Sequence, residues 1–175
     1  MSHVNAIWTV FPVLLIRYAL PNLFDKDALK RLAYFPPLIG KEKWAFWVYQ
    51  LTNAAMVLQL YFLEIKISIA GSGAGAVIYL VGLIGYGISV GQFSKPSRRG
   101  IITRGLYKRS RNPMYIAYFI IFVGCVVLTG SFSLLMLLFT FQISVHWLIL
   151  AEERWCLETF GSRYQDYMDQ VGRYY

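Results

Sequence analysis

Long apolar runs dominate this chain and restrict the folds that it can adopt. The run at 115–150 is much longer than the roughly 20 residues that an α-helix needs to cross the hydrocarbon of a bilayer. A Thr-Gly-Ser sequence at 129–131 divides the run, which predicts two helices joined by a tight turn. Because 57% of the 175 residues are hydrophobic and only 15% are charged, a soluble domain of this size could not bury the apolar surface. We therefore expect a membrane protein.

Three further apolar runs predict three more membrane helices, at 5–24, 44–65 and 74–93. The first is weakened by Pro12 and Arg17, so we expect it to be short, tilted or kinked, with Arg17 snorkelling toward a lipid headgroup. The predicted fold is all-α and polytopic, with about five transmembrane helices, the last two forming a C-terminal helical hairpin. We predict one domain over 1–175.

The basic residues are concentrated in three segments that five crossings place on one side of the membrane. The loops at 25–43 and 94–112 and the tail at 151–175 contain 15 of the 17 lysines and arginines. The positive-inside rule therefore places these segments in the cytoplasm. The net charge of +8 is explained by this topology, and we predict no nucleic-acid partner.

The C-terminal segment has a helical pattern of apolar residues. Leu157, Phe160, Tyr164, Tyr167 and Val171 recur at steps of three and four, which predicts an amphipathic cytosolic helix at the membrane surface. Gly161 is expected to break or bend this helix.

The cysteines and the N-terminus predict no additional chemistry or processing. Cys125 and Cys156 have neither a disulfide framework nor zinc-ligand spacing, so we interpret both as structural and predict no metal site. The N-terminus has no basic n-region and no small-residue cleavage site, so we expect no cleavable signal peptide.

Two polar motifs border the membrane on the predicted cytosolic side. Residues 112–115 read Asn-Pro-Met-Tyr and begin a span, which suits an ordinary helix start with an asparagine cap and a proline in the first turn. Glu152 and Glu153 follow the apolar run that ends at Leu150. Acids at a bilayer are costly unless they have partners, so this pair is a functional candidate.

Glycines recur along the third apolar run, at Gly82, Gly85, Gly87 and Gly91. The simpler interpretation is that they allow neighbouring helices to pack closely. The functional alternative is that Gly85 and Gly87 leave room for a ligand against the backbone.

These motifs, in this order, resemble the isoprenylcysteine carboxyl methyltransferases and the related phospholipid methyltransferases. Those are small multi-span enzymes that use S-adenosylmethionine. The resemblance covers 82–173 and consists of the Arg-Asn-Pro-Met-Tyr start at 111–115, the paired glutamates at 152–153, and a Phe-Gly-x-x-Tyr-x-x-Tyr-x-x-x-Val-x-Arg tail at 160–173. It implies a cofactor-binding core at 74–175, preceded by two less specific spans at 1–66.

The resemblance implies a set of cofactor contacts and a catalytic set. Glu152 matches the acid that holds the amino-acid end of the cofactor, and the loop at 99–102 matches one that wraps it, with arginine in place of the family's histidine. The implied cofactor contacts are Gly85, Gly87, Gln92, Arg99, Gly100, Ile101, Ile102, Tyr107, Asn112, Pro113, Met114, Tyr115 and Glu152. The candidate catalytic residues are Asn112, Tyr115, Glu153 and His146, the last two because an amine acceptor has to lose a proton.

The methyl acceptor stays open between a prenylcysteine carboxylate and an aminolipid. Prenylcysteine enzymes have an arginine four residues before the matching glutamate, and here Leu148 occupies that position. Two alternatives also remain: an NADPH-dependent membrane reductase of the sterol and steroid kind, and a non-enzymatic scaffold whose basic loop binds anionic lipids. The leading hypothesis is methyl transfer from S-adenosylmethionine to a lipidic substrate.

Overall fold

The computed structural model describes residues 4–66, 71–95 and 100–175, and it is mostly helical, with 77% helix. Two strands of two residues each, β1 (Val4–Asn5) and β2 (Glu64–Ile65), form an antiparallel pair. Short 3-10 helices lie at Ala6–Thr9 and Gly105–Lys108. The α-helices in the described part of the chain are α1 (Val10–Asn22), α2 (Ala28–Leu32), α3 (Lys41–Phe62), α4 (Gly71–Ser94), α5 (Pro113–Thr129), α6 (Phe132–Phe160) and α7 (Ser162–Gln170).

The helical class is therefore as predicted, and each predicted span contains a helix. Within the described residues, two helices are long and apolar enough to cross a membrane, over Ser72–Ser94 and Phe132–Phe160. The apolar helices at Ala6–Asn22 and Pro113–Thr129 are shorter. The count of five crossings stays a prediction.

The break between the last two apolar helices lies where the sequence predicts it. α5 ends at Thr129, and Gly130 adopts a left-handed conformation with φ of 62°, a conformation that favours glycine. The Ser131 side chain then accepts a hydrogen bond of 3.2 Å from the Leu134 amide and caps α6. A left-handed glycine followed by a serine cap thus makes the tight turn of the predicted hairpin.

Glycines bring α4 and α5 into close contact, and this pair of helices has the most extensive interface in the fold. A Cβ atom at Gly82 would lie 2.6 Å from the backbone nitrogen of Ile121, and one at Gly124 would lie 2.6 Å from that of Tyr79. Backbone atoms cannot move aside as a flexible side chain can, so larger residues are excluded at both positions. The close-packing interpretation of the α4 glycines is correct for Gly82.

α6 continues past Leu150, the predicted end of the apolar run, and includes both Glu152 and Glu153. It ends at Phe160 because Gly161 has a φ of 58°, as expected for a break at this glycine. α7 then begins at Ser162, and its aromatic residues Tyr164 and Tyr167 are buried against the protein. These two tyrosines pack inward, and the position of the tail at the membrane surface stays a prediction.

Candidate functional site

A cavity of about 710 Å³ lies where the loop after α4, the start of α5 and the end of α6 converge. Its volume is within the range of small-molecule binding sites, roughly 300–1,000 Å³. The helix α2 and Tyr34, which follows it, close another side. The cavity is lined by Lys30, Arg31, Tyr34, Phe93, Lys95, Gly100, Ile101, Ile102, Tyr107, Arg111, Asn112, Met114, Tyr115, Glu152, Glu153, Trp155, Cys156, Phe160, Tyr164 and Tyr167.

Most of the candidate residues from the loop after α4 and from α6 meet in this one cavity. They come from segments about 40 residues apart in the chain, and only the fold brings them together. The candidate residues that line the cavity are Gly100, Ile101, Ile102, Tyr107, Asn112, Met114, Tyr115, Glu152 and Glu153.

Four candidate residues on helices do not line the cavity. Gly85 and Gly87 face neighbouring helices, where an added Cβ would lie 3.5 Å from Ala117 Cβ and 3.7 Å from Ile16 Cδ1. Pro113 is buried at the first turn of α5. His146 lies on α6, and its Nδ1 is 2.8 Å from the hydroxyl of Tyr174.

Gln92 also lies outside the cavity lining, where it supports the loop after α4. Its Oε1 accepts a hydrogen bond of 2.9 Å from the Leu106 amide. Gly105 lies directly over the Gln92 amide with a φ of 60°, and there is no room for a side chain between them. Arg99, the remaining candidate, lies outside the described residues.

Glu152 is the carboxylate that faces the cavity without an arginine partner among the described residues. The hydroxyl of Tyr115 donates a hydrogen bond of 2.7 Å to its Oε1. Both side chains line the cavity. A carboxylate held at one oxygen keeps its second oxygen for a cationic or hydrogen-bonding group of a ligand.

Glu153 is surrounded by arginines. Its Oε1 is 2.8 Å from Arg111 Nη2 and its Oε2 is 2.8 Å from Arg173 Nη2. The Glu153 and Arg111 side chains are only 5% and 8% exposed. Both oxygens are already in charge-assisted hydrogen bonds, so this carboxylate holds the structure together.

The C-terminal residues bind the start of α5 through main-chain groups. Arg111 donates from its amide to Gly172 O at 3.0 Å and from Nη1 to Val171 O at 2.7 Å. Asn112 Nδ2 and Ser110 Oγ both donate to Arg173 O, at 3.2 and 3.0 Å. The Val-x-Arg tail therefore holds the turn that presents Asn112 and Tyr115 to the cavity.

Tyr107 lines the cavity, and its hydroxyl is buried. The residue is 6% exposed, and its hydroxyl has no hydrogen-bond partner within the described residues. Burial raises the pKa of Tyr107 well above its ordinary value, so the hydroxyl stays protonated and can donate. The Tyr167 hydroxyl holds the Tyr107 backbone in place through a hydrogen bond of 2.6 Å to its carbonyl. Buried hydroxyls usually have partners, so a ligand group is the expected partner here.

The loop after α4 approaches the end of α6 closely. Gly100 has a φ of 75°, and a Cβ added to it would lie 2.6 Å from Phe160 Cε1. Glycine therefore satisfies both the backbone conformation and the space at this position. The contact closes the cavity between the loop and the aromatic residues at the end of α6.

Sequence reasoning missed the cavity residues in α2 and directly after it. Lys30, Arg31 and Tyr34 lie in a loop whose charges were attributed to topology alone. Tyr34 packs against Trp155 with ring centroids 5.2 Å apart. Only tertiary structure reveals this contact, because the two residues lie more than 100 positions apart in the sequence.

Long-range hydrogen bonds hold α2 over the cavity. Arg17 Nη2 donates to Leu32 O at 2.9 Å, and Arg154 Nη2 donates to Pro37 O at 2.9 Å. Arg154 also forms an ion pair with Glu42. The predicted snorkelling of Arg17 toward a lipid headgroup is therefore replaced by a contact with the carbonyl of α2.

The cavity as a whole combines an acidic group, aromatic side chains and an exposed basic edge. Such an arrangement can bind a molecule with a cationic group, a flat ring and an anionic group. Leu148, at the position of the prenylcysteine-enzyme arginine, is 1% exposed and does not line the cavity.

Comparison with known families gives one match. The family model PEMT, described as phospholipid methyltransferase, matches residues 76–163, which is half of the chain. The matched segment includes nearly all of α4, all of α5 and α6, and the loop at 100–112. Neither the curated proteins nor the solved structures give a match.

Proposed function

The chain belongs to the phospholipid methyltransferase family, and on this premise we propose that it transfers a methyl group from S-adenosylmethionine to a lipidic, membrane-embedded substrate. The observation that carries the proposal is the shared cavity. The loop after α4 and the acids of α6 meet over a hollow large enough for a nucleoside.

We propose a multi-pass membrane protein whose cavity faces the cytoplasm. The two long apolar helices support membrane insertion. The basic loops support a cytosolic position of the cavity, because lysine and arginine concentrate on that side of membranes. A water-soluble cofactor would then reach the cavity directly from the cytosol.

The residues of the cavity fit S-adenosylmethionine, which has a cationic sulfur, a zwitterionic amino-acid end and an adenosine. Among the described residues, the second oxygen of Glu152 has no partner and is available to the ammonium group, and the Tyr107 hydroxyl is also unpaired there. Tyr34, Trp155 and Phe160 provide flat apolar surface. When bound, the cofactor supplies an electrophilic methyl group.

The contribution of the protein to such a reaction is positioning and exclusion of water. Methyl transfer is an in-line displacement, so its rate depends on how closely the two reactants are aligned. The tail fixes the start of α5, Gln92 fixes the loop after α4, and the hydrogen bond from Tyr115 fixes Glu152. These contacts hold the cavity walls before any ligand binds.

An aminolipid fits this cavity better than a prenylcysteine carboxylate does. Leu148 is buried outside the lining and offers no cation for a substrate carboxylate. Glu153 is bound by two arginines, and His146 lies outside the lining, so neither is placed to take a proton from a bound amine. We assign both to holding the structure rather than to proton transfer.

Titration of the detergent-purified protein with S-adenosylhomocysteine and with NADPH tests the proposal. We expect calorimetric binding of S-adenosylhomocysteine and no binding of NADPH. Binding of NADPH alone would overturn the proposal in favour of the membrane-reductase alternative.

Alkylation of the cysteines in the same purified protein locates the bound ligand. Cys156 lines the cavity, whereas Cys125 is 1% exposed and lies in the helical core. Bound S-adenosylhomocysteine should slow the reaction of Cys156 with a maleimide, as measured by mass spectrometry, and leave Cys125 unreacted throughout. Binding without any protection of Cys156 would place the ligand outside this cavity.

A further inference from the structure

We propose that Lys30, Arg31 and Lys95 form a subsite for the phosphodiester group of the lipid substrate, at the exposed edge of the cavity. We call these three residues the basic rim. The inference rests on the proposed function and adds to it the residues that recognise the lipid headgroup.

The basic rim is assembled from two separate segments of the chain. Lys30 and Arg31 belong to α2, and Lys95 directly follows the last residue of α4. The other cation of the lining, Arg111, is bound to Glu153 and is 8% exposed. The rim therefore holds the cations of the described lining that are open to an incoming anion.

Two aspartates orient the rim without lining the cavity. Asp25 Oδ2 lies 2.6 Å from Arg31 Nη1, and Asp27 Oδ1 lies 3.0 Å from Lys30 Nζ. An ammonium group has three donors and a guanidinium has five, so both cations keep donors for a phosphate. The aspartates do not line the cavity, and with three cations against two carboxylates this edge keeps a net positive charge.

Lys95 has the fewest polar interactions of the three cations within the described residues. Its Nζ lies 4.8 Å from the centre of the Phe24 ring, and within the described ranges it has no carboxylate at ion-pair distance. A cation over an aromatic ring keeps its hydrogen-bond donors free. A phosphate oxygen would supply the missing counter-charge.

The basic rim lies at the ends of apolar helices, where lipid headgroups are found. Lys95 ends a helix that is apolar enough to span a membrane, and α2 follows the apolar helix at Ala6–Asn22 after a short connection. The residues next to it include Leu23 and Phe24, which are 78% and 42% exposed. Apolar side chains beside clustered cations are typical of the membrane interface, where basic residues bind phosphate groups.

The rim is separate from the group assigned to the cofactor. It gives the edge of the cavity positive groups, whereas Glu152 is assigned to the ammonium group of the cofactor. A phosphodiester at the rim would leave the amine of the same headgroup directed into the cavity. Lys30 and Arg31 precede the family-matched segment, so the N-terminal third of the chain supplies two of the three cations.

Kinetics with two substrates tests the subsite. The variant combines Lys30→Gln and Lys95→Gln, because Arg31 also donates to Ser94 O and its loss would alter the fold. We expect KM for phosphatidylethanolamine to rise about tenfold, because the variant removes two of the three cations that would face the phosphate. KM for a long-chain primary amine without phosphate should not change. The control is Lys41→Gln, which removes an exposed lysine outside the lining.

Two further measurements separate this inference from the proposed function. The affinity for S-adenosylhomocysteine should be the same in the double variant and the wild type. Calorimetric binding of short-chain phosphatidylethanolamine needs no turnover and should weaken about tenfold in the double variant. Equal losses for both substrates, an unchanged lipid affinity, or equally tight binding of inorganic phosphate would overturn the subsite.

Discussion

Two adjacent carboxylates on α6 line one cavity of about 710 Å³ but have different surroundings. Glu152 has one hydrogen bond, from the Tyr115 hydroxyl at 2.7 Å. Glu153 is 5% exposed and lies between Arg111 and Arg173. The region around Glu152 is open, whereas the region around Glu153 is fully paired.

The difference shows that two neighbouring glutamates on one helix can have different roles. Consecutive side chains on an α-helix point about 100° apart, so Glu152 and Glu153 contact different elements. The region around Glu153 joins α6, the start of α5 and the C-terminal tail. That network holds in place the part of the cavity wall that lies next to Glu152.

The largest expected effect is on stability, from Glu153→Gln. The substitution leaves Arg111 buried beside Arg173 without a counter-charge, and breaking a buried ion pair in this way costs about 3 kcal/mol. We expect a clearly lower midpoint of thermal unfolding in detergent than for Glu152→Gln. Equal midpoints for the two variants would show that the arginine network does not stabilise the fold.

The next effect is on ligand affinity, from Glu152→Gln. The amide keeps the shape of the side chain but loses the negative charge that a cationic ligand group needs, and a charge-assisted hydrogen bond contributes about 2 kcal/mol. We expect the Kd of S-adenosylhomocysteine to rise about thirtyfold with little change in the unfolding midpoint. The control is Glu158→Gln, which removes an exposed acid of the same helix. An unchanged Kd would refute the assignment of Glu152.

The smallest effect is expected from Tyr107→Phe. Its hydroxyl has no partner within the described residues, so its removal should leave the unfolding midpoint unchanged or raise it. The Kd of S-adenosylhomocysteine should rise about threefold, through loss of one neutral hydrogen bond. Tyr167→Phe is the contrast, because its hydroxyl bonds the Tyr107 carbonyl and its loss should lower the midpoint. A lower midpoint for Tyr107→Phe would show that this hydroxyl has a structural partner.

The sequence predicted the helices and the family because both depend on local patterns. Apolar runs give the helical segments, and the turn at Gly130 follows from a Thr-Gly-Ser sequence. The paired glutamates and the Asn-Pro-Met-Tyr sequence at the start of α5 are each contiguous, so both can be recognised from the sequence alone. The separate roles of Glu152 and Glu153 could not be predicted, because they depend on arginines from elsewhere in the chain.

Residues whose roles come from long-range contacts were also missed or misread. Arg17 appeared to be a lipid-facing cation, but its partner is a carbonyl of α2. Tyr164 and Tyr167 have the pattern of a membrane-surface helix, but they form a wall of the cavity. A helical pattern gives the apolar face of a helix, and tertiary structure decides whether that face meets lipid or protein.

The close contact between α4 and α5 limits the direction from which a lipid can arrive. At Gly82 and Gly124 the backbone of each helix lies against the other, and not even a methyl group fits between them. A fatty acyl chain is wider than a methyl group, so it cannot pass between α4 and α5 at these two glycines. The hydrocarbon tails of the proposed lipid substrate would therefore approach the cavity from a different pair of helices.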